Sequence, residues 1–360
     1  MSRKLIFLKK TILFCSVFFL FNSCSKSGDF LAPESEVQNP DNLVAYAPLA
    51  DFTKDIGVIN IDVNANANSF GNNTSNLIKN INQPNPAYCH PDVVYFEKAF
   101  GGYKYWMAFT PYFGSVGAQR SSTPYENPTI VASNDGLNWE VPKGLKNPLQ
   151  FAPSMKESMS DGDKAPKQGF WSDVDLLYEN NKFYLYYRAS FIKAAVLAKR
   201  GAKSQNNNNK LSVDAQRVIV RQTSTDGIHW TPLEALYTSN APYSPQNNLL
   251  LSPSFVYDGR SYTSYEVQNN ANANFPGDEA SFVVKRTSKD GLDFSFVNKS
   301  KVVNFINKPW TKTNANYSPW HLQASYVDGY YFLCLAVGDV KSLLQKVCTW
   351  LSLKMVSTLR

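Results

Sequence analysis

Asp173 and Asp175 stand two residues apart in the segment Ser172-Asp173-Val174-Asp175-Leu176-Leu177-Tyr178. Residues at that spacing point to the same side of a β-strand. Two carboxylates on one face repel each other, so the pair is costly unless it is neutralised or put to use. A related segment, His90-Pro91-Asp92-Val93-Val94-Tyr95, sets an imidazole two residues before a carboxylate. The chain has 3 histidines, at 90, 229 and 321, and two of them, His90 and His321, open segments of this kind. Carboxylates and imidazoles are the groups that move protons near neutral pH. Two further acids join the candidates: Glu266 on a later aromatic strand, and Glu126 in Tyr125-Glu126-Asn127-Pro128. Neither HExxH nor CxxC spacing occurs, so the sequence assigns no metal site.

The elements that must carry these residues repeat. Ser133-Asn134-Asp135-Gly136-Leu137-Asn138-Trp139 returns as Ser224-Thr225-Asp226-Gly227-Ile228-His229-Trp230 and as Ser288-Lys289-Asp290-Gly291-Leu292-Asp293-Phe294. Asp-Gly signals a tight turn, and we read all three as structural. Ahead of each turn lies a strand pair. The lead strands begin at 90, 172, 252 and 318, in steps of 82, 80 and 66 residues. Each is followed by an aromatic strand, at Tyr103–Phe109, Lys182–Arg188, Ser261–Val267 and Tyr330–Cys334. Such units predict four antiparallel strands each, the grammar of a β-propeller blade. Asn-rich stretches at 64–80 and 206–209 read as surface insertions.

The N-terminus carries a different signal. Arg3, Lys4, Lys9 and Lys10 precede a short apolar stretch, Thr11 to Phe21, which ends in Asn22-Ser23-Cys24. It is shorter than the roughly 20 residues that span a bilayer, and it has the layout of a secretory signal. A cysteine after a small residue at that point resembles a bacterial lipobox. The expectation is therefore a signal peptide over 1–23, lipidation of Cys24, a tether over 24–40 and anchoring in the cell envelope. The net charge of +7 includes the four cations ahead of Cys24, and what remains is no nucleic-acid footprint. Aromatic residues make up 14% and charged residues 18% of the chain, a balance that suits β structure. Beyond Cys24 the thiols are Cys89, Cys334 and Cys348, too few and too scattered for a disulfide framework.

The second lead strand, with its aromatic successor, is similar to the blade openings of the five-bladed β-propeller furanosidase superfamily. Glycoside hydrolase families 43, 32 and 117 belong to it, and the resemblance runs over roughly residues 85–338. It implies an all-β, five-bladed β-propeller over 41–338 whose inner strands deliver acidic residues to a funnel. One carboxylate acts there as general base, a second orients substrate, and a third residue is the general acid. This chain departs from that plan. His90 occupies the position of the first acid, with Asp92 two residues on. Leu251 stands where the third acid is expected. By resemblance the catalytic set is Asp92 as base, Asp173 as orienter, and His321 or Glu266 as acid.

An inverting glycosidase follows as the expected activity, with carbohydrate as partner and its two groups about 6.5–9.5 Å apart. His90, Asp175, Trp171, Arg188, Trp320 and Glu126 are the expected substrate-binding residues. The tryptophans, Trp106 among them, would stack on sugar faces or fill the core. Arg188 would grip a sugar carboxylate or close an ion pair. No cofactor is expected, and a calcium ion in the central channel is an option that no residue pattern requires. The alternative is a non-catalytic glycan-binding or surface-assembly propeller, which the missing glutamate favours. A sialidase-type propeller ranks last, because the spacing of the turns and the absence of an arginine trio both disagree with it. Residues 339–360 show no strand-turn grammar, which predicts a propeller incomplete at its C-terminus, by truncation or frameshift.

Overall fold

The structure, a computed structural model, describes residues 60–62, 87–112, 126–151, 153–154, 156–158, 169–201, 203–204, 217–238, 250–269, 281–294, 301–302, 317–339 and 346–353. The expected signal, Cys24, the tether and both Asn-rich stretches lie outside them.

Four sheets follow one another along the chain. The first runs β1 (Asn60–Asp62), β2 (Ala87–Phe100), β3 (Tyr103–Tyr112), β4 (Thr129–Ser133) and β5 (Asn138–Glu140), in the order β1-β5-β4-β3-β2. The second holds β6 (Phe170–Glu179), β7 (Lys182–Ser190), β8 (Lys203–Ser204), β9 (Arg217–Ser224) and β10 (Glu234–Thr238), in the order β6-β7-β9-β10-β8. A short helix, α1 (Ala194–Lys199), precedes β8. The third sheet is β11 (Leu250–Tyr257), β12 (Tyr262–Asn269), β13 (Ser281–Ser288) and β14 (Lys301–Val302). The fourth is β15 (Tyr317–Val327), β16 (Tyr330–Asp339) and β17 (Lys346–Leu353). No described helix is long and apolar enough to cross a membrane.

Residue types explain the hairpins. Asn180 and Asn181 (φ 52° and 58°) turn β6 into β7, and Asp328 and Gly329 (φ 51° and 87°) turn β15 into β16. Positive φ at both central residues is the type I′ pattern that matches strand twist. The Ser-x-Asp-Gly turns close the outer strands. In each, the serine hydroxyl accepts the glycine N–H, at 2.9 Å for Gly136, 2.8 Å for Gly227 and 3.1 Å for Gly291. Gly227 has no substitute, because a Cβ there would meet the Trp106 ring at 2.5 Å.

The core lies between sheets. Trp106 packs against Phe183 of the second sheet with ring centroids 5.3 Å apart. Tyr186 stacks on Phe255 of the third at 3.7 Å. Trp106 and Trp171 are both fully buried, so they are core residues and not sugar platforms. The tail also differs from expectation. Residues 346–353 form β17, paired antiparallel with β16 from Gly338↔Lys346 to Tyr331↔Leu353. The alternating pattern sought in the sequence is missing there, but β16 offers an open edge whose backbone groups need partners.

Candidate functional site

Every lead strand carries a β-bulge at its head. Register shifts between Cys89 and Asp92 on β2, between Ser172 and Asp175 on β6, between Leu250 and Pro253 on β11, and between Pro319 and His321 on β15. Bulges re-aim side chains. A tyrosine follows each bulge within three to five residues: Tyr95, Tyr178, Tyr257 and Tyr326. Aligned on it, His90, Asp173, Ser252 and His321 occupy one column, and the four bulges bring them together. His90 and Asp173 take left-handed backbone, φ 54° and 55°. That conformation is uncommon with a Cβ, and it persists where the surroundings over-determine it, typically at functional sites.

Asp173 is the centre of this upper ring. Its Oδ1 lies 3.3 Å from His90 Nδ1, 3.4 Å from His321 Nδ1 and 3.2 Å from the Ser252 hydroxyl. Ser252 Oγ is also 2.8 Å from His321 Nδ1. The imidazoles meet edge-on, with centroids 4.5 Å apart. Asp173 Oδ2 accepts the Ser172 hydroxyl at 2.7 Å and pairs with Arg188 at 2.5 Å. Arg188 Nε donates in turn to Ser172 Oγ at 2.9 Å. Burial alone would raise the Asp173 carboxyl. Arg188, with the two histidines, outweighs it and holds the group well below the usual carboxylate range. Asp173 is 1% exposed, whereas the side chains of His90 and His321 are 15% and 18% exposed, so the ring opens on its imidazole side.

The donor set fits a divalent ion. His90, Asp173 and His321 offer one ligand atom each within 4.8 Å of one another. Charged hydrogen bonds usually close to about 2.7–2.9 Å, and 3.3–3.4 Å is long for one. A tetrahedral ion with bonds of about 2.0–2.1 Å sets neighbouring ligand atoms about 3.3 Å apart. Two imidazoles and a carboxylate with an open side match zinc-type and facial-triad sites. The sequence offered no such site because its ligands are one per sheet, 83 to 148 residues apart.

Two residues further along each lead strand lies a lower ring of Asp92, Asp175, Ser254 and Gln323. It holds strands together. Asp92 Oδ2 accepts the Leu176 N–H at 2.6 Å, and Asp175 Oδ2 accepts the Phe255 N–H at 2.8 Å. Ser254 Oγ accepts the Ala324 N–H at 3.0 Å and donates to Asp175 Oδ1 at 2.6 Å. Gln323 Nε2 donates to Asp92 Oδ1 at 2.9 Å. Burial and the nearby Asp92 carboxylate push the Asp175 carboxyl well up, against the hydrogen bonds from Ser254 and Phe255.

Of the expected catalytic set, the structure therefore unites Asp173 and His321. His90 and Arg188, expected to bind substrate, belong with them. Asp92 and Asp175, expected as base and substrate contact, each spend both oxygens on hydrogen bonds to neighbouring lead strands. Glu266 is also engaged elsewhere. It is fully buried between the second and third sheets, paired with the Arg286 guanidinium, which lies 4.6 Å over the Tyr237 ring. Glu126 precedes β4 at the end of the first sheet that carries His90, buried and left-handed at φ 59°. Trp320 is on β15, with its side chain outside the described residues. Ser252 and Gln323 escaped sequence reasoning. Aligning the four segments on their tyrosines, and not on their first polar residue, would have found both.

No family model matches the chain. Among curated proteins it is similar to the A type blood N-acetyl-alpha-D-galactosamine deacetylase of Flavonifractor plautii, 28% identical over 272 residues, with 69% of this chain and 30% of that protein covered. The chain thus spans about a third of that relative's length. A crystal structure of an N-acetylgalactosamine deacetylase from F. plautii with blood group B trisaccharide matches at TM-score 0.52 and 20% identity, covering 74% of this chain and 67% of that one. A family-93 α-L-arabinofuranosidase of Fusarium graminearum with arabinobiose matches at TM-score 0.41 and 15% identity, over 70% of this chain and 61% of that one. A thermostable family-43 glycoside hydrolase matches at TM-score 0.45 and 12% identity, over 76% and 73%. The chain has the all-β propeller fold, shared with carbohydrate-active enzymes.

Proposed function

We propose that the chain is a glycan-acting hydrolase that removes an N-acyl group from an amino sugar, with His90, Asp173 and His321 holding a divalent ion. The observation that carries this reading is the convergence of those three ligands at the open end of the ring. The deacetylase relative supports the substrate class. Such an ion, when bound, polarises an acyl carbonyl and makes water a nucleophile near neutral pH. The chain's own residues do the rest. Arg188 keeps Asp173 ionised and oriented. Ser252 offers a hydroxyl beside His321. Glu126, at the His90 end of the first sheet, would carry a proton from water to the leaving amine.

The inverting glycosidase expected from the resemblance needs two carboxyl groups facing across a water. Asp92, Asp175 and Glu266 are each committed to other partners, which is why deacylation is the better supported reading. The discriminating experiment incubates the protein with N-acetylated and non-acetylated glycans, with and without a chelator. Acetate release that stops with chelator supports the proposal. Released sugar with no acetate would establish the glycosidase instead, and binding without turnover would establish the non-catalytic propeller. We further propose export through residues 1–23 and lipid attachment at Cys24, which would fix the site at the cell envelope. Labelled fatty acid should then enter the wild type and be lost in Cys24→Ser.

A further inference from the structure

The three ligands come from three different sheets: His90 from β2, Asp173 from β6 and His321 from β15. Among the described residues, no backbone pairing joins those sheets. Something else must set the distances between the ligands, and one carboxylate reaches all three strands. Asp92 lies on β2, two residues after His90. Its Oδ2 takes the N–H of Leu176 on β6, three residues after Asp173, at 2.6 Å. Its Oδ1 takes the amide of Gln323 on β15, two residues after His321, at 2.9 Å.

The junctions are not alike. From β2 to β6, from β6 to β11 and from β11 to β15, a side-chain oxygen captures a backbone N–H of the next lead strand. The seam from β15 back to β2 is crossed side chain to side chain, by Gln323–Asp92 and by the edge-on imidazoles. A captured backbone N–H is already ordered within its strand, whereas the Gln323 amide sits on a flexible stem whose ordering costs rotamer entropy. Among the described contacts, the seam is thus the junction whose hydrogen bond is held from the more flexible group.

From this we infer that Asp92 is the hub of the ligand set, and that the Gln323–Asp92 hydrogen bond is the positioning contact holding His321 at ligand distance from His90 and Asp173. The inference rests on the reading that these residues hold a divalent ion. It gives Asp92 a positioning role in place of general base, and it makes Gln323 a residue that acts through the ligands.

The test measures Zn²⁺ affinity of the full chain by competition with a chromophoric chelator, beside the melting temperature of the metal-free protein. Gln323→Met keeps length and removes the donor. Partners of ligands typically matter by about ten- to a hundredfold in metal affinity, and that loss is expected here. Ser224→Ala, in a remote turn, serves as control: it should lower the melting temperature at least as much and leave Zn²⁺ affinity unchanged. If Gln323→Met does not fold, Gln323→Asn, one methylene short of Asp92, is measured in its place. Wild-type affinity in the Gln323 variant overturns the positioning role while the metal reading stands. A wild type that takes up no Zn²⁺ overturns the metal reading, and this inference with it.

Discussion

His90, Asp173, Ser252 and His321 stand one pleat from Asp92, Asp175, Ser254 and Gln323 on the same four strands, and the two rings do opposite work. In the lower ring each side chain satisfies a group on a neighbouring strand, backbone N–H at three junctions and an amide at the fourth. In the upper ring the polar atoms turn toward one another, around a single oxygen of Asp173. The bulges make the difference. At His90, Asp173 and Ser252 they take the first position out of the regular register, whereas His321 pairs with Ala336 just past a bulge at Trp320. Two residues that share a face in an ideal strand therefore answer to different partners. A carboxylate with both oxygens on inter-strand donors fastens strands, and one with an oxygen facing two imidazoles has the geometry of a ligand.

The sharpest way to break this comparison is to remove one member of each ring and ask what is lost. His321→Ala should abolish acetate release and weaken Zn²⁺ binding by more than about a hundredfold, beyond what loss of a supporting contact does. Because His321 is partly open to solvent, its melting temperature should move by less than about 3 °C. A variant that melts far lower while still binding zinc would show that the upper ring is structural after all.

Glu266 belongs to neither ring and tests whether burial alone decides. Its carboxylate and the Arg286 guanidinium are both inside, at 0% and 1% side-chain exposure. Glu266→Ala leaves a buried cation without its partner, at a cost of about 3–5 kcal/mol. Urea unfolding should read that loss, and the surviving folded fraction should bind Zn²⁺ as the wild type does. Lost zinc affinity at full stability would restore Glu266 to the site.

Much of this was legible in the sequence, and what was not has a common cause. The Ser-x-Asp-Gly turns and the aromatic second strands announced antiparallel units, because turn chemistry and period-two patterning are local. His90, Asp173 and His321 were legible as site candidates because each stood at or near a strand head, and Arg188 because it stood near the end of the paired strand. Their convergence on one point was not, because residues on separate sheets leave no spacing to recognise. Nor was the role of Asp92, which depends on Leu176 and Gln323, 84 and 231 residues away. Strand β17 was missed because its partner edge, and not its own alternation, calls it into place.

In the lower ring, Asp175 gives a smaller effect with a distinctive sign. Asp175→Ala strips an acceptor from the Phe255 N–H and the Ser254 hydroxyl, and should lose about 2–6 kcal/mol at roughly 1–3 kcal/mol per orphaned group. Asp175→Asn retains one acceptor and relieves the repulsion with Asp92, so it should lose less. The folded carboxyl is raised above its ordinary value, so the native state keeps a proton that the unfolded chain has released. Its contribution is therefore present below about pH 4 and fades as pH rises through the raised value. Wild-type stability should carry that downward slope, and Asp175→Asn should lack it. An identical slope in both would mean that Asp175 ionises freely in the fold.

The smallest effect belongs to a carboxylate of the opposite kind, in the first Ser-x-Asp-Gly turn. Asp135 is exposed, yet its Oδ1 accepts the N–H groups of Asn138 at 2.7 Å and Leu137 at 2.8 Å. Its Oδ2 accepts the Asn138 side chain at 2.7 Å. These hydrogen bonds, that from the Asn138 backbone foremost, hold the carboxyl well below its ordinary value of 3.8. The sign is then reversed. A depressed group contributes stability above its unfolded pKa and loses it as pH falls through the folded one. Asp135→Asn should lower stability near neutrality by less than about 1 kcal/mol, given solvent screening, and the gap to wild type should close below about pH 4. Measured together, the two aspartate variants should change the acid limb in opposite directions. If both flatten it in the same direction, the contrast between a carboxylate raised by burial and one lowered by backbone donors does not describe this fold.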